Sequence, residues 1–248
     1  MHYLWKAKGA NGIHSPFVFE WYNEVLAHPY YFYAFEEIEN ERNKLLLSKE
    51  KLEYQDLGAN KRIVKTTVSS LASQSIMPTE AGILLFQLSF WLKPETVVEL
   101  GTSLGITTAY LAKAHPANIT TFEGILAIGE TAKTVWNNLD IKDIRLVHGK
   151  IEETLPVYLK SANPTIDLLI LDANHSYEAT MQNFNRALPY LHENSCLVVD
   201  DLYWSRGMAK AWEEIKNHPE VRITIDLFRL GLVFFRKENL KENFIIRW

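Results

Sequence analysis

Val97-Val98-Glu99-Leu100-Gly101-Thr102-Ser103-Leu104-Gly105-Ile106 is the stretch that decides the fold. From Thr96 to Leu100 it is apolar and β-branched, which suits a strand buried on both faces. Gly101 and Gly105 bracket a tight turn, and from Leu104 the apolar residues recur at helical spacing through Thr108, Leu111 and Ala112. Strand, glycine turn and helix in immediate succession form the ligand-holding unit of a doubly wound sheet. Backbone N–H groups and a helix N-terminus there face the crevice at the strand's carboxyl end.

The spacing is E-x-G-x-x-x-G, running from Glu99 to Gly105, and not the G-x-G-x-x-G of dinucleotide sites. A third glycine normally lets a pyrophosphate approach the backbone, whereas Thr102, Ser103 and Leu104 fill this turn. A ligand without a pyrophosphate fits better. S-adenosylmethionine is one, with adenosine at one end, an amino acid at the other and a sulfonium between them. A turn with a purely structural role is the competing reading.

Outward from this stretch, strands are predicted near 96–100, 118–123, 143–148, 166–172 and 195–200, and helices near 104–114, 127–138, 152–160, 177–190 and 206–217. Such alternation specifies a parallel sheet flanked by helices. The tail departs from it, because Arg222–Phe228 and Leu232–Phe235 around Arg229–Gly231 read as a hairpin that adds antiparallel strands. The expected architecture is α/β, a doubly wound, mostly parallel seven-stranded sheet with a C-terminal antiparallel hairpin and an N-terminal helical appendage.

The appendage is expected to span 1–78, as a cap or an oligomerisation segment, with the cofactor-binding domain at 79–248. Ser15-Pro16 reads as a helix start with the serine hydroxyl as cap, and His28-Pro29 as its end. A second helix is expected from about Ala34 to Ser48. Gly58-Ala59-Asn60 and Lys61–Lys65 read as a loop leading into a short basic helix, and Thr79 as the N-cap of the next helix. Tyr30-Tyr31-Phe32-Tyr33 and His14 have two readings, as packing or turn residues and as a roof over a substrate pocket.

A chain of 248 residues, 47% hydrophobic, is ample for one sizeable core and an appendage. The formal net charge of -4 argues against a protein built to grip nucleic acid or an anionic membrane. Cys196 is the single cysteine and sits in an apolar run, so a buried core thiol is expected and an internal disulfide is excluded. With an N-terminus that lacks a signal-peptide pattern, this points to the cytoplasm.

The chemistry gathers at the strand ends. Glu123 closes the second strand, where a carboxylate accepts hydrogen bonds from ribose hydroxyls. Gly149, with Ile151 just beyond it, follows the third and leaves backbone open to an adenine edge. The fourth strand ends in Asp172-Ala173-Asn174-His175 and the fifth in Asp200-Asp201. Neighbouring parallel strands bring these acids together, and three close carboxylates raise one another's pKa unless a cation sits among them. A divalent ion held by Asp172, Asp200 and Asp201 resolves the conflict, and all-oxygen ligands favour Mg²⁺, with Mn²⁺ and Ca²⁺ meeting the same criteria. Strand-end turns or caps are the plainer reading of Asp200-Asp201. His175 reads either as a general base or as a cap for the helix starting at Tyr177.

These residues resemble the class I S-adenosylmethionine-dependent methyltransferases, and within them the cation-dependent O-methyltransferases of the catechol and caffeoyl-coenzyme A type. The resemblance covers roughly Met77 to Trp204, through Thr79–Leu85, Val97–Gly105, Glu123, Gly149, Leu171–Tyr177 and Val198–Trp204. It implies a Rossmann-like methyltransferase fold and metal binding by Asp172, Asp200 and Asp201. It also implies that Glu123 holds the ribose and that the turn of Glu99, Gly101, Thr102, Ser103 and Gly105, with Asp172, holds the rest of the cofactor.

Two departures, Asp201 where Asn is usual and His175 where Lys is common, look more like bacterial sugar O-methyltransferases, in which a D-x-x-H pair supplies a metal ligand and a catalytic base. Gly12–Phe19 also looks like a segment of methyltransferase-like proteins of Bacteroidetes-type bacteria. The activity implied is O-methylation of a small hydroxylated molecule, with a homodimer compatible. The alternatives are a methyltransferase-like cofactor-binding protein without turnover and a nicotinamide-dependent oxidoreductase.

Overall fold

The computed structural model describes residues 12–27, 30–55 and 62–248. In chain order, α1 (Pro16–Trp21) continues as a π-helical turn (Tyr22–Ala27), followed by α2 (Tyr33–Leu47), β1 (Lys51–Gln55), β2 (Ile63–Thr67), α3 (Val68–Ser75) and α4 (Thr79–Leu92). The alternating part runs β3 (Thr96–Leu100), α5 (Ile106–Ala114), β4 (Asn118–Glu123), α6 (Leu126–Asn138), β5 (Arg145–His148), α7 (Ile151–Ala162), β6 (Ile166–Leu171), α8 (Tyr177–Ala187) and β7 (Leu191–Val199). It closes with α9 (Arg206–Asn217), β8 (Ile223–Asp226), β9 (Gly231–Phe234) and β10 (Glu242–Ile245).

An eight-stranded sheet has the order β10-β8-β9-β7-β6-β3-β4-β5. Within it β4 and β5, β6 and β7, and β10 and β8 pair in parallel, while β9 runs antiparallel to both β7 and β8. The expected C-terminal hairpin is therefore β8–β9, and β10 is a strand that the sequence reading did not contain. Its four residues, Glu-Asn-Phe-Ile, are too few to show a periodicity.

The chain forms two compact units, one made of 94–98, 158–248 and the described part of 1–29, the other of 99–157 and the described part of 30–93. In the first, β6 and β7 are fully apolar at their carboxyl halves, with Leu168, Leu169, Ile170, Leu197 and Val198 all at 0% exposure. Cys196 lies in the same buried stretch, and burial pushes its thiol pKa well up. Helix α1 belongs to this unit, where Phe17 meets Phe234 edge to face at 5.0 Å and carries the Arg236 guanidinium over its ring. Ser15 precedes the helix but makes no capping bond, and its buried hydroxyl has no partner. The fixed φ of Pro16 starts the helix instead.

In the second unit, α2 packs near α5 through a polar clasp. Glu39 of α2 accepts from the Tyr110 hydroxyl (2.7 Å), the Thr79 hydroxyl (2.7 Å) and Arg42 Nε (2.8 Å), and Arg42 Nη1 donates to the Met77 carbonyl (2.6 Å). Burial raises the Glu39 carboxyl, but the three donors outweigh it and hold the group below the usual carboxylate range. Thr79 therefore serves α2 rather than capping its own helix, whose N-cap is Pro78. Phe32 packs against Phe35, Phe86 and Phe90, while Tyr30, Tyr31 and Tyr33 point outward.

The basic helix expected at 61–65 is instead strand β2, paired antiparallel with β1 from Lys51↔Thr67 to Gln55↔Ile63. The reason is local: Lys-Leu-Glu-Tyr-Gln alternates in burial, and the β-branched Ile63, Val64, Thr66 and Thr67 suit a pleated surface. The helix end expected at His28-Pro29 and the loop at Gly58–Lys61 lie outside the described residues.

Because Glu39 satisfies the Tyr110 hydroxyl and the buried Arg42 at once, Glu39→Ala is expected to cost about 2–4 kcal/mol of stability in urea unfolding. Glu39→Gln, which keeps an acceptor, should cost less; equal losses would mean that the charge alone carries the clasp.

Candidate active site

The turn after β3 is drawn tight by backbone bonds. Gly101 N–H and Thr102 N–H both donate to the Phe122 carbonyl (3.1 and 3.0 Å), and Gly105 N–H donates to the Thr102 carbonyl (3.0 Å). Gly101 (φ 107°), Ser103 (φ 49°) and Gly105 (φ 81°) all lie in the left-handed half of φ space, so the path is one that most side chains resist. At Gly105 a Cβ would also come within 2.7 Å of Trp136 Nε1, which donates to the Gly105 carbonyl at 2.9 Å.

Glu123 at the end of β4 braces this turn. Its Oε2 accepts from Ser103 N–H (3.0 Å), its Oε1 from Ile125 N–H (2.9 Å), and its carbonyl from Gly149 N–H (3.0 Å). Burial raises the carboxyl's pKa, and the N–H donors oppose the rise. Each carboxylate oxygen can accept more than one hydrogen bond, so both stay available to a pair of hydroxyls. Gly149 (φ 129°) turns the chain into α7, whose first residue is Ile151.

Glu99 lies wholly buried beneath the turn. Its Oε2 accepts from the Thr108 (2.5 Å) and Thr121 (2.6 Å) hydroxyls, and Thr102 and Thr121 share a further bond of 2.6 Å. Oε1 has no partner. Burial pushes the carboxyl from 4.5 up to about 7 against the pull of the two hydroxyls. A glycine turn with positive φ, an acid carrying spare acceptor capacity and a buried unpaired oxygen fit a ligand that ends in an ammonium group and carries a ribose.

The remaining predicted residues lie in the other unit. In the β6–β7 ladder Leu171 stands opposite Val199, so Asp172 and Asp200 follow as neighbours, and Asp200 N–H donates to the Leu171 carbonyl at 3.0 Å. His175 Nε2 stands 3.7 Å from Asp172 Oδ1 and 3.8 Å from Asp201 Oδ2. It is not the cap of α8, a role taken by Ser176, which accepts from Ala179 N–H. Asn174 (φ 48°), Asp201 (φ 54°) and Phe228 (φ 73°) are strained in the same region.

Arg229, in the turn between β8 and β9, was read from the sequence only as a hairpin residue. It reaches Asp200 with a bidentate fork, Nε to Oδ1 at 2.9 Å and Nη2 to Oδ2 at 2.8 Å, and Nη2 stands 3.4 Å from Asp201 Oδ1. Asp200 is 1% exposed. Burial works against the guanidinium's charge, but bonding to Asp200 and the charges of Asp200, Asp201 and Asp172 raise its pKa overall. Burial and Asp200 together raise Asp201, with Arg229 and His175 opposing.

The expected divalent-ion site does not fit this arrangement. Both oxygens of Asp200 are committed to Arg229, and among the described residues no group of three or more His, Cys, Asp or Glu is arranged to hold a metal. Beside the cluster, Tyr203 and Phe228 stack at 5.5 Å, and Trp204 is 73% exposed.

A family model described as a methyltransferase domain matches residues 98–202, which hold the turn, Glu123, Asp172, His175, Asp200 and Asp201. The fold is the Rossmann-like methyltransferase fold. Similar solved structures include the S-adenosylhomocysteine-bound methyltransferase PaMTH1 from Podospora anserina, with a TM-score of 0.62 and 14% identity over 87% of this chain and 93% of that one. The Bacillus cereus O-methyltransferase in complex with S-adenosylhomocysteine gives 0.61 and 15% over 88% and 96%. The O-methyltransferase TomG from Streptomyces achromogenes, involved in tomaymycin synthesis and bound to S-adenosylmethionine, gives 0.62 and 16% over 86% and 94%. No curated protein sequence matches the chain.

The carboxyl of Glu99 gives the methyltransferase fold here a pH signature. Unfolded, it ionises near 4.5; folded, near 7, so between these values the folded state holds the extra proton and stability falls as pH rises. The full penalty, reached above pH 7, is roughly 3 kcal/mol. Urea unfolding at pH 5 and pH 8 should show this loss in the native chain and not in Glu99→Gln; the same loss in both would place its origin elsewhere.

Proposed function

We propose that the chain is an S-adenosylmethionine-dependent O-methyltransferase acting on a hydroxyl of a small molecule. The observation that carries this reading is the brace between Glu123 and the Gly101–Gly105 turn, set within the matched methyltransferase domain.

In this reading Glu123 accepts the ribose hydroxyls, and the backbone of Gly101 to Gly105, above Glu99, takes the methionine end. Gly149 and Ile151 flank the adenine. The bound cofactor supplies an activated methyl group, so the chain's own residues need only align an oxygen and remove its proton. His175 is the base. Asp172 and Asp201, 3.7 and 3.8 Å from its Nε2, set the orientation of the ring. The exposed Tyr203, Trp204 and Phe228 offer faces on which a planar or sugar ring can rest.

Calorimetric titration with S-adenosylhomocysteine should show one site, weakened at least about tenfold, ~1.4 kcal/mol, in Glu123→Ala. His175→Ala should leave that affinity intact and lower kcat on a hydroxylated aromatic or sugar acceptor on the order of 10²- to 10⁴-fold. Binding of NADH in place of S-adenosylhomocysteine would overturn the cofactor reading, and undiminished turnover in His175→Ala would remove the base.

A further inference from the structure

Two strand ends that deliver Asp172 and Asp200 side by side, with Asp201 next in sequence, create a charge problem that some cation must answer. In this chain the answer is covalently part of the protein. Arg229 meets both oxygens of the buried Asp200 in the planar fork geometry that suits guanidinium and carboxylate, and the same Nη2 stands 3.4 Å from Asp201. The register places it there: β9 runs antiparallel to β7 with Gly231 opposite Val199, so the turn before Gly231 passes over the end of β7 where Asp200 and Asp201 begin. Backbone bonds hold that turn in place, Leu202 N–H to the Arg229 carbonyl (3.1 Å) and Arg229 N–H to the Leu227 carbonyl (3.0 Å). Phe228 N–H also donates to Asp226 Oδ1 (2.8 Å).

We propose that Arg229 is the resident cation of this cluster, standing in place of a divalent metal, so that the carboxylates hold His175 without any bound ion and the chain works independently of metal. This deepens the methyltransferase reading and rests on it for the reaction, but not for the binding behaviour. Arg229 is a positioning residue: with Asp200 fully engaged and Asp201 partly balanced, one oxygen of Asp201 and one of Asp172 face the imidazole. A bound metal would need Asp200 back, and the fork would have to open.

Mn²⁺ binding to the full chain, read by electron paramagnetic resonance of the free ion, tests this without any acceptor. The native chain should show no stoichiometric site at micromolar Mn²⁺. Arg229→Met, which releases Asp200 and Asp201, should gain affinity for Mn²⁺ by about tenfold or more. Arg229→Lys, which keeps a cation near Asp200, should stay close to the native chain and covers the case in which the methionine variant does not fold. A micromolar Mn²⁺ site in the native chain that disappears in Asp200→Asn would overturn the proposal, as would a folded Arg229→Met that gains no affinity. Failure of S-adenosylhomocysteine to bind would count against the methyltransferase reading alone.

Discussion

The ladder between β6 and β7 is the constraint from which the chemistry of its unit follows. Two parallel strands with wholly buried carboxyl halves can pair only in a register that keeps their side chains inside, and that register sets Leu171 against Val199. Once this is fixed, the next residues out, Asp172 and Asp200, are neighbours whatever their charge. The hairpin turn with Arg229, the left-handed backbone at Asp201 and the placement of His175 are all responses to carboxylates that the sheet has already brought together.

Left-handed backbone in the described chain includes Lys93, Asp140, Asp143 and Asn163, and two groups of it flank the candidate site residues. Gly101, Ser103, Gly105 and Gly149 line the turns after β3 and β5, and Asn174, Asp201 and Phe228 surround the acids. Such backbone persists only where its surroundings over-determine it. In one case these are the Glu123 carboxylate and the Trp136 indole, and in the other the guanidinium fork and the Leu202–Arg229 bond.

Much of this was legible in the sequence because parallel strands write themselves as short apolar runs that end in polar residues. Val97 to Gly105, Glu123, Asp172 and Asp200-Asp201 could be placed at strand ends on that signal alone, and the β8–β9 hairpin followed from its two apolar runs. Arg229 was not legible. A basic residue in a hairpin turn carries no local mark of its partner, and only the pairing of β9 with β7, which sequence periodicity does not reveal, brings it to Asp200. The metal expectation was framed without this residue, since nothing in the local sequence marks a guanidinium beside Asp200. β2 was misread because Lys61-Arg62 suggested a helix face, although the β-branched residues after them suited a strand.

Cys196 gives the sheet a property of its own. It sits four positions before Asp200 on β7, the lone sulfhydryl of the chain, fully enclosed and strongly biased toward its protonated form. An aromatic disulfide reagent meets no accessible thiolate while the strand stays paired on both sides, between β6 and β9. The rate of its modification is thus an internal clock for the opening of the same strand that delivers the acid held by Arg229.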